Sequence, residues 1–211
     1  MQRMTSIALL AMGGLFVLSS CTKDPYRDMS EEESRIYITN RDTTANFNSY
    51  KTYSIVDSVS LIDNNQFAGK EATSWDLQVI AAVQNEMNAR GYTRVSRNQS
   101  PDLGINVSRL YNTTTNVVDL TGYWGGYGGY YDPYYWGYGG YDYYFPTYGY
   151  YQSTEAALSI DMLDLENASG THTIKGVWNG LVRGSGVFRS SNVTSQIQAL
   201  FEQSPYLRTT R

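Results

Sequence analysis

Few side chains in this sequence could do chemistry, and their spacing limits what each can do. Its 211 residues hold one cysteine, Cys21, and one histidine, His172. With a single thiol, neither an internal disulfide nor a cysteine metal cluster is expected. His172 lies beside Gly170 in a turn-rich stretch and reads as an exposed turn residue. A Ser-His-Asp or zinc assembly would have to rest on that residue, and nothing around it supports one. Asp161 and Asp164 are three apart, so on a strand they face opposite sides and make a poor acid–base pair. Gly184-Ser185-Gly186 lacks the pattern of a nucleophile elbow. Gly125, Gly126, Gly128 and Gly129 are followed by no Lys-Ser/Thr pair, so they make no phosphate loop. No catalytic residue, cofactor or metal is expected. A small hydrolase using Asp102 and His172 is the alternative.

Cys21 carries the strongest chemical signal. Arg3 precedes an apolar run from Ile7 to Leu18, and Leu18-Ser19-Ser20-Cys21 closes it with small residues. That layout fits a removable export signal over residues 1–20. As a helix the twelve-residue run would reach only ~18 Å, against roughly 30 Å of hydrocarbon. The four closing residues resemble the bacterial lipobox, whose cysteine takes a thioether-linked diacylglycerol and further acyl chains such as palmitate. A lipid on Cys21 is therefore the expected membrane device. Thr22 stands where an aspartate would resemble an inner-membrane retention signal, so the outer membrane of a Gram-negative bacterium is the expected location. Which side of that membrane the protein faces stays open. Residues 21–34 are polar, with the run Glu31-Glu32-Glu33, and read as an acidic tether.

Thr121 to Tyr151 is rich in tyrosine and glycine, with Trp124, Trp136 and Phe145 among them. No lysine or arginine occurs between Leu110 and Ile174. Aromatic segments that bind nucleic acid interleave basic residues to neutralise phosphate, and the chain carries a net charge of −4. Nucleic acid is therefore not an expected partner. Three readings stay open for residues 121–151. They could be a low-complexity loop without regular structure. They could bind an envelope glycan or another apolar-faced ligand, with rings such as Trp124, Tyr127, Tyr131, Tyr135 and Trp136 stacking while Asp132 and Asp142 accept hydrogen bonds. They could drive self-association or surface adhesion. The core is expected to fold without them.

The remaining residues form a single unit over 35–211. Ile36–Ile38 and Phe47–Val56 read as strands, and 57–72 as a loop. Thr73-Ser74-Trp75-Asp76 has capping-box spacing and starts a helix with Leu77, Val79, Ile80, Val83, Gln84 and Met87 on its apolar stripe. Gly91 stops it. Leu103, Ile105 and Val107 alternate with polar residues, which predicts a strand with one face on the core. Ala156 to Leu163 and Thr171 to Val182 predict an antiparallel hairpin, and a second helix runs from about Asn192 to Pro205. The expected class is α+β: an antiparallel or mixed sheet, two main helices on one face, and a long Tyr/Gly-rich loop. Trp75 and Trp178 are expected to pack in the core.

The order of motifs is similar to one family of bacterial lipoproteins, the domain of unknown function numbered 4136. Phe47-Asn48-Ser49-Tyr50-Lys51-Thr52-Tyr53 opens the pattern; Gly91-Tyr92, Pro101-Asp102-Leu103 and Val177-Trp178-Asn179-Gly180 follow in order. The match spans roughly Ile36 to Tyr206 and departs at the turn Glu166-Asn167-Ala168. The resemblance implies the fold and the envelope location and transfers no catalytic residue; separately, the domain is expected to bind or scaffold, with an envelope glycan or another envelope protein as partner. Asp42-Thr43-Thr44 and Asp57-Ser58-Val59 also resemble the short O-glycosylation motif of Bacteroidetes envelope proteins, with Thr43 and Ser58 as acceptors.

Overall fold

The computed structural model describes residues 30, 32–64, 66–111, 133–144 and 156–209. Cys21, Trp124, Tyr127, Tyr131 and Asp132, together with the signal and most of the tether, lie outside the described residues. Within them the strands are β1 (Ile36–Arg41), β2 (Thr52–Ile55), β3 (Val59–Asp63), β4 (Gln66–Glu71), β5 (Thr93–Arg94), β6 (Leu103–Tyr111), β7 (Asp142–Tyr144), β8 (Ala157–Asp164) and β9 (Thr173–Arg183). The helices are α1 (Ser74–Ala89), α2 (Ala168–Thr171) and α3 (Val193–Glu202). All nine strands join one open, mixed sheet; six run in the order β1-β9-β8-β6-β2-β5, and β3, β4 and β7 attach beside this path. The fold is α+β, as expected.

β6 organises the sheet. Along one edge it pairs in parallel with β2 and then β3, which lie end to end. Along the other it pairs antiparallel with β8, followed by β9 and β1. β4 folds back on β3, and β7 adds in parallel to Thr173–Lys175 of β9.

Side chains alternate along a strand, so register assigns the two faces. Tyr53, Leu103, Ile105, Met162 and Trp178 share the face on which α1 and α3 pack. The Trp178 ring lies 5.5 Å from Phe201 of α3, and its Nε1 donates to Ser204 Oγ at 2.9 Å. The Tyr53 hydroxyl donates to Asn88 Oδ1 of α1 at 3.0 Å, and burial pushes its phenol up to about 12. α1 starts where expected: Thr73 Oγ1 accepts from the Asp76 amide while Asp76 Oδ2 accepts from the Thr73 amide. Gly91, at φ +90°, ends it. Trp75 and Trp178 are buried core residues, as the sequence predicts.

Four expectations are corrected. Residues 57–72 are not a loop but the β3–β4 hairpin, turned by Asn64 at φ 48° and bulged beside Leu61. The strand expected over Phe47–Val56 is confined to Thr52–Ile55, because Phe47 to Tyr50 form a turn held by the Ser49 amide on Asn46 O. Leu77 is not on the buried stripe of α1; that stripe is Trp75, Asp76, Val79, Ile80, Ala82, Val83 and Met87. β6 has both faces covered, since Asn106 and Ser108 are as buried as Ile105 and Val107.

The Tyr/Gly-rich stretch also gives ordered structure where it is described. Pro133–Trp136 form a 3-10 turn and Asp142–Tyr144 are β7. Trp136 is only 4 % exposed and belongs to the core. It packs over Gly104 of β6, where an added Cβ would lie 3.1 Å from the indole. At that ring, the expectation of a core complete without the stretch is corrected.

Candidate functional site

Two arrangements have chemistry available to them, both away from the helix face. The first is buried. Register sets Asn106, Asp161 and Asn179 side by side on β6, β8 and β9. Asn179 Nδ2 donates to Asp161 Oδ1 at 2.7 Å and to Ser159 Oγ at 3.0 Å, and Ser159 Oγ donates to Asp161 Oδ2 at 3.2 Å. Burial pushes Asp161 up to about 7, and its hydrogen bonds from Asn179 and Ser159 only partly offset that. Asp164 sits apart, accepting from the Asn167 amide and side chain at 3.0 and 2.8 Å. The sequence spacing therefore separates these two acids correctly.

The second arrangement is an open groove in two adjoining lobes of 440 and 470 Å³, with Arg97 and Tyr135 forming their common wall. The 3-10 turn Arg97–Gln99 supplies one side, and Pro133–Trp136 the other. Arg97 Cζ stands 4.7 Å from the Tyr135 ring centre, and Lys70 Nζ of β4 stands 5.3 Å from it. Trp136 meets Tyr135 edge-on at 4.9 Å, with its own ring seated on the sheet. Burial raises the Tyr135 phenol, and the Asp57 charge adds to that. The ring stays neutral as a fixed polar wall under two cations, a cation–π arrangement. The groove offers Arg94, Arg97, Asn98 and Gln99 as donors.

Of the expected ligand residues, Tyr135 and Trp136 meet here. Asp142 does not, because it begins β7, where its amide donates to His172 O at 3.2 Å. His172 is an exposed turn residue at φ 55°, stacked on Tyr141 at 4.7 Å. Asp102 is committed to the backbone: its Oδ2 accepts from the Lys51 and Thr52 amides at 2.6 and 2.9 Å, and its carbonyl accepts from Leu165 and Glu166. Thr43 is exposed, and Ser58 Oγ donates to Asp57 Oδ1 at 3.2 Å. Sequence reasoning missed Lys70, Arg94 and Arg97. The basic residues absent from the aromatic stretch itself reach Tyr135 from β4 and the turn after β5, and only pairing in space shows it.

The motif residues converge as well. Asp102 ties the amides of Lys51 and Thr52; Thr52 Oγ1 accepts from the Asp102 amide, and the Tyr92 hydroxyl donates to Phe47 O at 3.0 Å. These contacts fasten β2, β5 and β6 at one end, so the motifs are architectural.

An open α+β sheet fastened in this way defines the class of protein. The family model of the domain of unknown function DUF4136 matches residues 38–206, and the chain belongs to that family. Among solved structures, a DUF4136 family protein from Bacteroides thetaiotaomicron VPI-5482 is 27% identical, with a TM-score of 0.66 over 83% of this chain and 98% of that one. The PelC dodecamer from Paraburkholderia phytofirmans is 11% identical, with a TM-score of 0.42 over 84% and 99%. A PDZ domain protein from Parabacteroides distasonis ATCC 8503 is 14% identical, with a TM-score of 0.46 over 82% of this chain and 36% of that one. No curated protein matches the chain.

Proposed function

We propose that the chain is a lipid-anchored protein of the Gram-negative cell envelope, held in the outer membrane through Cys21, whose domain binds a glycan instead of catalysing a reaction. Leu18-Ser19-Ser20-Cys21 supports the anchor. The observation that carries the binding role is the Tyr135 groove, where Arg97 and Lys70 stand over one ring at the wall of an open cleft. Cations and amide donors prefer an acceptor-rich, carboxylate-bearing ligand, which an acidic envelope polysaccharide provides. With both cations near its ring, Tyr135 orients donors more than it stacks on sugar.

The test is capture of the protein on immobilised peptidoglycan and on a carboxylate-free glycan. Each charge-assisted contact is worth about 1.5–3 kcal/mol, so Arg97→Ala with Lys70→Ala lowers affinity for the acidic polymer by at least about tenfold. Equal capture of the double variant and the parent sinks the groove reading.

A further inference from the structure

We infer that the end of the sheet where the chain enters the fold is a pole that rests on the lipid surface, with Ile36, Phe67 and Leu77 as its apolar contacts. Register places Ile36 and Phe67 at the same end of the sheet, on its opposite edges. Phe67 pairs with Ile62, Ile62 with Leu110, Leu110 with Ala157, Ala157 with Arg183, and Arg183 with Ile36. One row thus crosses six strands, with Phe67 at one edge and Ile36 at the other. Leu77 joins this end from the first turn of α1, which the Asp76–Arg109 ion pair fixes at 3.1 Å one residue from Leu110. The three are 44 %, 39 % and 51 % exposed for Ile36, Phe67 and Leu77. Tyr144, the other large exposed hydrophobic among the described residues, is at the far end, in the row Tyr144–Lys175–Asp164–Leu103. The rows of Leu103 and Leu110 are about 23 Å apart at ~3.3 Å per residue.

Between these contacts the end carries Phe188 as well as the charged Arg183. Phe188 is half-buried there, 5.2 Å from both Trp75 and Tyr111. A 430 Å³ cleft lined by Ala156, Val187 and Phe188, together with Ser185 and Arg189, opens beside it. The chain's point of entry names the occupant. Arg35 leads into Ile36 on this row, with its Nε donating to Ser185 O at 3.4 Å. Cys21 lies fourteen residues earlier. Fourteen residues reach at most ~45–50 Å, so lipid on Cys21 would keep the bilayer within reach of the end where the chain enters the fold. Exposed apolar residues then enter the headgroup boundary, as interfacial side chains do. Trp136, over Gly104 six residues from Leu110 along β6, stands about 20 Å from this row. This inference rests on the anchor proposed above.

The experiment is hydroxyl-radical footprinting of the full acylated protein in phosphatidylethanolamine–phosphatidylglycerol vesicles, against the Cys21→Ser protein in solution. Labelling of Ile36, Phe67 and Leu77 falls at least about threefold on vesicles, while Tyr144 is unchanged. If the protein floats with vesicles but all four residues label as in solution, the anchor stands and the pole is overturned. If the acylated protein does not float with vesicles, the anchor reading itself fails. If the three residues are already protected in Cys21→Ser protein that sediments as a dimer, a second copy covers them and the lipid assignment is overturned.

Discussion

Asp161 makes the fold's stability depend on pH, and its surroundings set the sign. The side chains beside it on the same face of β6, β8 and β9 are Asn106, Ser159 and Asn179, all uncharged. Among the described residues no cation pairs with Asp161, and burial lifts it to about 7. An unfolded aspartate titrates near ~3.9. Between those values the folded state holds the proton more firmly than the unfolded chain does. Stability therefore falls as pH rises through that window. Asp161→Asn keeps the shape without the charge, so its advantage over the parent should grow from about pH 4 upward and be at least about 1 kcal/mol larger at pH 8 than at pH 5. Thermal melts at the two pH values check this. Equal gains at both would mean that packing, not charge, is responsible.

The same residues show where sequence legibility stops. Val177-Trp178-Asn179-Gly180 marks the family by pattern, but alternation gives each member a separate task. Trp178 goes into the helix side, Asn179 holds Asp161 on the other, and Gly180 leaves room for the Trp178 ring. A Cβ on Gly180 would stand 2.4 Å from that ring, which explains the glycine in space and not in sequence.

At the scale of elements, what is legible is what is local. The Thr73 capping box, the α1 stop at Gly91 and the β8–β9 hairpin are encoded within a few residues each, and all three form. The β3–β4 hairpin is hidden because a bulge between Leu61 and Ile62 breaks its alternation. β6 is misread because its second face is polar yet covered, and polarity in a sequence reads as solvent exposure. The Tyr/Gly-rich stretch is hardest, since low complexity erases periodicity even where a ring is destined for the core. Trp136 gives that error a measurable consequence. Trp136→Ala should cost about 3–5 kcal/mol in denaturant unfolding, the range for a buried tryptophan. Replacing Gly122–Tyr150 with a short linker should cost no less. A full-stability melt for either variant would return the stretch to the periphery.

At the scale of the whole molecule, the proposed anchor would decide where every other feature acts. No helix among the described residues is long and apolar enough to cross a membrane. In the proposed arrangement the acyl chains on Cys21 would supply the membrane affinity. Each buried methylene contributes about 0.8 kcal/mol; one chain binds only marginally, and two or more make attachment stable. The exposed pole cannot substitute. Ile36, Phe67 and Leu77 are each partly covered already, so completing their burial adds less than the ~1.5–3 kcal/mol a fully buried side chain gives. That contribution orients a domain already tethered; it does not retain a free one. Cys21→Ser should therefore move the protein from the membrane pellet to the soluble fraction, with its melting temperature unchanged because residue 21 precedes the folded unit. A folded Cys21→Ser protein that stays with the membrane would transfer the anchoring role from the lipid to the pole itself.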